Sequence, residues 1–254
     1  MTLSATAPVG GIDVQVHPGR AEMGRAAAAA VAGDLRRRLA GGGRARMIFA
    51  AAPSQAEMLD ALVAEPGIDW GRVTAFHMDE YIGLAPDDPA RFALWLRRHV
   101  FDRLPFGAVH LIDPGSDPAR AAASYARLLA EAPIDIVCLG IGVNGHLAFN
   151  DPPVADLDDP LDVKVVELDA VCRQQQVDDG CFPGFDDVPT HALTLTVPRL
   201  LRADRLVCVV PGAAKREAVR RALHDPIGAA CPATALRRHP AVNLFLDPES
   251  DPHG

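Results

Sequence analysis

A chain of 254 residues with 49% hydrophobic side chains is long enough to bury a sizeable core. Its 33 acidic and 25 basic residues leave a net charge of −8, and no basic block stands ready to neutralise a run of phosphates, which excludes nucleic acid as a partner. No run approaches the roughly 18 apolar residues of a membrane span, and the opening MTLSATAPVGGIDVQVH has neither the charged nor the apolar region of an export signal.

In chain order, the apolar run IDVQV at 12–16 predicts a first strand. AEMGRAAAAAVAGDLRRRLAGGG at 21–43 predicts a helix whose strong formers stop at three glycines. Further strands are expected at MIFAA 47–51, VTAFHM 73–78, VHLI 109–112, IDIVCLGI 134–141, VKVVEL 163–168, ALTLTV 192–197, RLVCVV 205–210 and VNLFL 242–246. Between them, segments 54–63, 89–104, 118–129 and 213–223 carry apolar residues three and four apart, as in RFALWLRRHVFDRL. Strands alternating with amphipathic helices predict an α/β fold, a largely parallel sheet with helices on both faces. No linker, repeat or break in composition divides the chain, so one domain over 1–254 is expected. The five cysteines are odd in number and include no C-x-x-C pair, which reads as reduced thiols in a cytoplasmic protein.

In such a sheet, ligands bind beyond the carboxyl ends of the strands, where helix amides point outward. Two segments there carry chemistry. VTAFHMDEYIGL runs from a strand into Asp79 and Glu80, and a carboxylate partly shielded from water is fit to abstract a carbon-bound proton. The alternative is a surface loop in which Asp79 caps a turn. IDIVCLGIGVNGHLAFNDPP presents His146 on a glycine turn, followed by Asn150 and Asp151, an arrangement suited to a proton carrier. Here too a structural reading stands beside it, with His146 a satisfied helix-start residue. Gly140, Gly142 and Gly145 also match a dinucleotide fingerprint, yet Pro152 and Pro153 limit any following helix to a turn or two, which argues against that cofactor.

Taken together, FHMDEYIGL and GIGVNGHLAFNDP resemble the two signature segments of the glucosamine-6-phosphate deaminase/isomerase family, and a weaker similarity extends over about residues 20–247. The resemblance implies a Rossmann-like fold and no cofactor or metal. Asp79 is then the base that moves a proton between C2 and C1 of an open-chain amino sugar, and His146 opens the ring. It further implies Asn144 and Asp151 beside the histidine, and Ser54, Glu80, Gly145, Arg173 and Lys215 as substrate-binding residues. Arg173 and Lys215 would hold the phosphate, and Lys215 is one of only two lysines in the chain. Family members form homo-oligomers in some cases and monomers in others.

Three departures bear on the substrate. Asn144 and Asp151 stand where the family has aspartate and glutamate; Asn144 is expected to hydrogen-bond the imidazole without stabilising its charged form. AAAPSQ replaces the glycine-rich phosphate turn, and alanines keep the backbone farther from a phosphate. The acidic segment VADLDDPLD at 154–162 replaces a basic one, so no activation by an acetylated sugar phosphate is expected. The expected reaction is glucosamine 6-phosphate to fructose 6-phosphate and ammonia. Its alternatives are galactosamine 6-phosphate as substrate, a 6-phosphogluconolactonase, and a sugar-phosphate-binding protein without catalysis.

Overall fold

The computed structural model describes residues 4–5 and 10–254. Seven strands run parallel: β2 (Ile12–Val16), β3 (Ala45–Phe49), β4 (Val73–His77), β6 (Ala108–His110), β7 (Ile136–Leu139), β10 (Arg205–Val210) and β11 (Val242–Leu246). Their order is β2-β11-β10-β7-β3-β4-β6, and β1 (Ser4–Ala5) adds an antiparallel edge beside β2.

The central strands are apolar along their length because both of their faces are covered. In β7, Ile136 and Cys138 enter one core, and Val137 and Leu139 the other. β10 repeats the alternation, with Val207 and Val209 on the first face and Leu206, Cys208 and Val210 on the second. Helices α1 (Arg20–Leu39), α2 (Ala56–Val63) and α3 (Phe92–Leu96) cover the first face; α4 (Pro118–Ala130) and α7 (Arg216–His224) cover the second. The expected α/β sheet with helices on both faces is therefore present. Among the described residues no helix is long and apolar enough to cross a membrane.

Two local expectations are corrected, and two short helices are added. The runs at 163–168 and 192–197 do not join the main sheet. They form a separate antiparallel sheet of β5 (Asp79–Tyr81), β9 (His191–Leu195) and β8 (Val163–Glu167), with β9 in the middle. VKVVE carries the reason: Val165 and Glu167, two apart and so on one face, are exposed, as a sheet open to water on that face requires. The helix expected from Pro89 begins at Phe92 and loosens into a π turn at Arg97–Phe101. Its start is set from a distance, because the Glu80 carboxylate accepts the amides of Phe92 and Ala93, at 3.0 Å each. Finally, α5 (Ala170–Asp178) and the short α6 (Val197–Leu201) carry side-chain caps from Asp169 and Thr196 in place of an apolar stripe long enough to detect.

One joint positions the site. β4 of the main sheet passes through Met78 directly into β5 of the small sheet. The end of β4 is held by Tyr125, whose hydroxyl accepts the His77 amide at 3.0 Å, and by Ile112, whose amide donates to His77 Nε2 at 2.7 Å. Burial pushes the His77 imidazole down to about 3, so this histidine is a neutral structural acceptor and carries no protons in catalysis.

Candidate active site

A cleft of about 680 Å³ opens over the carboxyl ends of β3, β4, β7 and β10. The turn 50–55 follows β3, Asp79 follows β4, the glycine turn bearing His146 follows β7, and Lys215 follows β10. Stretches from 84–98 and 179–187 form its rim, with Phe92, Trp95, Phe149 and Phe182 among the apolar lining.

Asp79 is buried at 6% exposure. Burial, reinforced by the neighbouring Glu80 charge, holds its carboxyl well above the ordinary aspartate range, which makes it a stronger base once ionised. Strand alternation turns Glu80 the other way. Its carboxylate receives the amides of Tyr81, Phe92 and Ala93 and lies 3.6 Å from Arg91 Nε. Glu80, expected to touch substrate, instead holds the start of α3.

His146 reaches the cleft because Gly142 leaves room: a Cβ on Gly142 would lie 2.1 Å from the imidazole. Gly145 is on the far side of the turn, with φ +88° and Cys231 Sγ 2.4 Å from where a Cβ would stand. It shapes the turn and does not line the cleft. Behind His146, Nδ1 stands 2.9 Å from Asp151 Oδ1. Asn144 does not bond the imidazole as expected; its amide donates to Asp151 Oδ1 at 3.0 Å and its carbonyl accepts the His146 backbone amide at 3.0 Å. Burial pushes Asp151 up, but His146, Asn144 and the Asp169 amide outweigh it and hold the carboxyl below its ordinary value. Asp151 is therefore a carboxylate that orients the ring.

The two proton-carrying groups share a support. β9 pairs Thr194 with Asp79, and the Thr194 hydroxyl accepts the Phe149 amide at 3.0 Å. Asn150 donates to the Leu195 carbonyl at 2.8 Å. Ala148, just before these anchors, adopts φ +51°, a left-handed conformation that costs about 1–2 kcal/mol for a residue with a Cβ.

At the anion end, Lys215 and Ser54 line the cleft. Lys215 is 8% exposed. Burial holds its ammonium below the usual lysine range, against the opposing charge of Asp179. Arg173 is not there: its guanidinium donates to the carbonyls of Phe185 and Val188 at 2.8 and 2.9 Å and stacks over the Phe185 ring. The geometry of α5 explains this. Cys172, Gln175 and Gln176 form the i, i+3, i+4 stripe turned inward, and Arg173 lies off it.

Gln175 and Gln176 line the cleft and were not anticipated; Gln176 accepts the Tyr81 hydroxyl at 2.8 Å. Gln55, also lining the cleft, donates to the Val209 carbonyl at 3.1 Å. Helical spacing around 172–179 was the available signal for the first two. Gln55 offered none, because its position depends on β10.

A proton carrier oriented by a carboxylate, a buried acid of raised basicity and a buried cation thus face one cleft. Residues 18–244 match the family model described as glucosamine-6-phosphate isomerases/6-phosphogluconolactonase. The chain belongs to this family.

It is 34% identical over 184 residues to the glucosamine-6-phosphate deaminase of Exiguobacterium sibiricum, covering 72% of this chain and 71% of that protein. It is 35% identical to the Bacillus thuringiensis glucosamine-6-phosphate deaminase, over 72% and 68% of the two chains. Among solved structures, a monomeric glucosamine-6-phosphate deaminase superposes with a TM-score of 0.86 at 26% identity, covering 93% of this chain and 98% of that one. A 6-phosphogluconolactonase from Shewanella baltica shares the fold with a TM-score of 0.76 at 18% identity, over 92% and 97%. The chain is accordingly an enzyme of the glucosamine-6-phosphate isomerase/6-phosphogluconolactonase family.

Proposed function

We propose that the protein converts glucosamine 6-phosphate and water to fructose 6-phosphate and ammonia, as a cytoplasmic enzyme of amino-sugar breakdown. The observation that carries this reading is the placing of Asp79 and the His146–Asp151 pair on a common cleft, the first shielded from water and the second oriented from behind.

His146 takes the proton of the C1 hydroxyl and delivers it to the pyranose ring oxygen as the bond between C1 and that oxygen breaks, and Asp151 supports the charge that the imidazole carries meanwhile. The Asp79 carboxylate takes the C2 proton and returns it to C1, which shifts the double bond and leaves a ketimine at C2. Water adds to that carbon and ammonia leaves. Burial of Asp79 serves the second step, since a desolvated carboxylate is the better base toward carbon. Lys215, Ser54 and the amides opening the 53–55 turn hold the phosphate.

A second reading has its own support: Lys215 and Ser54 face the cleft without Arg173 and without a glycine-rich turn. That favours an epimeric amino-sugar phosphate, galactosamine 6-phosphate first, over a change of reaction type. The test is ammonia release from both sugars by the native protein, Asp79→Asn and His146→Gln. Ammonia and fructose 6-phosphate from the native protein alone support the assignment. Hydrolysis of phosphogluconolactone without ammonia release points to the lactonase activity, and tight binding without turnover to a silent binding protein; either result overturns it.

A further inference from the structure

Cys172 has no part in the proton transfers, yet it sits at the back of the histidine. Nδ1 or Nε2 of His146, a carboxylate oxygen of Asp151 and Sγ of Cys172 all lie within 4.8 Å of one another. They come from three segments: the glycine turn, the end of that turn, and the first turn of α5. We propose that these three side chains form a reversible inhibitory site for a borderline-soft divalent cation, Zn2+ in the first instance.

Four features converge on it. The donor set is one nitrogen, one oxygen and one sulfur, the mixture zinc accepts and magnesium or calcium does not. The Nδ1 atom of His146 is buried, with Asp151 Oδ1 2.9 Å away and no other polar partner; a cation there takes over that contact. Cys172 is a free thiol, fully buried, on the stripe of α5 that faces inward. His146 lines the cleft while Asp151 and Cys172 lie buried behind it, so the way in runs past the imidazole.

Binding balances as follows. The ion replaces the proton on Cys172 Sγ, which is released to solvent, and the proton on His146 Nδ1, which moves to Nε2. The histidine then holds a fixed proton on its cleft-facing nitrogen and cannot accept another. Zinc therefore stops the ring-opening step without entering the anion end of the cleft.

Inhibition as a readout rests on the deaminase assignment; metal binding does not, and both are measured. The EDTA-treated, dialysed enzyme is titrated with Zn2+ against a chromophoric chelator, and separately with Co2+, whose thiolate complexes show a near-ultraviolet charge-transfer band. Native protein, Cys172→Ala, and Cys181→Ser, which removes the thiol lining the cleft, are compared. The expected result is one zinc per chain, a thiolate–cobalt band in the native protein and in Cys181→Ser, and its loss in Cys172→Ala. Ammonia release by the native enzyme falls with zinc and returns with EDTA, and Cys172→Ala needs at least about tenfold more zinc for the same fractional loss.

A band that survives in Cys172→Ala, a band lost in Cys181→Ser, or no thiolate band at all overturns the site. X-ray absorption of the zinc-loaded native enzyme decides without any variant: one sulfur at about 2.3 Å supports it, and a shell of nitrogen and oxygen alone refutes it. A protein that binds zinc in this way but releases no ammonia retains the metal site and loses the deaminase assignment.

Discussion

Replacing Gly142 with alanine places a Cβ 2.1 Å from Cε1 and Nε2 of His146 and 2.4 Å from Cδ2. Ordinary contact begins at 3.4 Å, so the ring must retreat by about 1.3 Å, the difference between those two distances. It cannot keep its 2.9 Å approach to Asp151 while doing so. A misplacement of about 1 Å in a reacting group costs about 100-fold, so kcat for ammonia release is expected to fall by about that factor or more. Overpacking adds a stability cost of about 1–3 kcal/mol, or roughly 2–4 °C of melting temperature per kcal/mol for a chain of this size. The clash is specific to the imidazole, which a double-mutant comparison exploits: with His146→Ala already present, Gly142→Ala should cost less stability than it does in the native background. Steady-state kinetics and thermal unfolding on the four proteins provide the measurements. A kcat within threefold of native, or equal destabilisation in both backgrounds, refutes the argument.

Asp79→Asn should abolish turnover and raise stability at neutral pH. Its folded pKa is raised, so its favourable contribution is complete below the ordinary aspartate value and is lost as pH rises through the folded one; urea unfolding of both proteins at pH 4 and pH 8 should show the gap widening with pH. For the same reason the acid limb of kcat/KM lies above that of an exposed aspartate, and Glu80→Gln should move it to lower pH. Lys215→Met should raise KM at least tenfold with less effect on kcat; because burial lowers the lysine, KM of the native enzyme should rise on the alkaline side earlier than for an exposed lysine. Arg173→Met should loosen the 182–188 segment, seen as faster proteolysis or hydrogen exchange there and a loss of about 1–3 kcal/mol. A tenfold rise in KM with stability unchanged would mean that Arg173 reaches the substrate after all.

The sheet was legible because each buried strand had to be apolar on both sides, and runs such as IVCL and RLVCVV have little other use. The ends of β4 and β7 were legible as chemistry because Asp79 and His146 follow apolar runs without delay. What the sequence concealed depended on direction. Glu80 and Arg173 carry the right charges at nearly the right places, but a strand reverses direction at each residue and a helix advances 100° at each, so one step turned the first toward α3 and the second toward a loop. The small antiparallel sheet was hidden for a related reason: β5 has three residues, and its partner β9 lies more than a hundred positions away. The Gln55 amide likewise depends on a carbonyl of β10.

Thr194 gives the molecule a property that belongs to neither proton carrier. Since β9 holds both the Asp79 strand and the His146 turn, the spacing between base and acid is gauged by a strand outside the reaction, while the rim at 84–98 and 179–187 is built from α3, the loop before it and the connection after α5. Reaction and recognition are therefore separately adjustable. A lineage could rewrite the rim and the anion end, and so change which sugar is admitted, while leaving the chemical step untouched. A change at position 194 would do the reverse, altering the rate for every substrate by a similar factor.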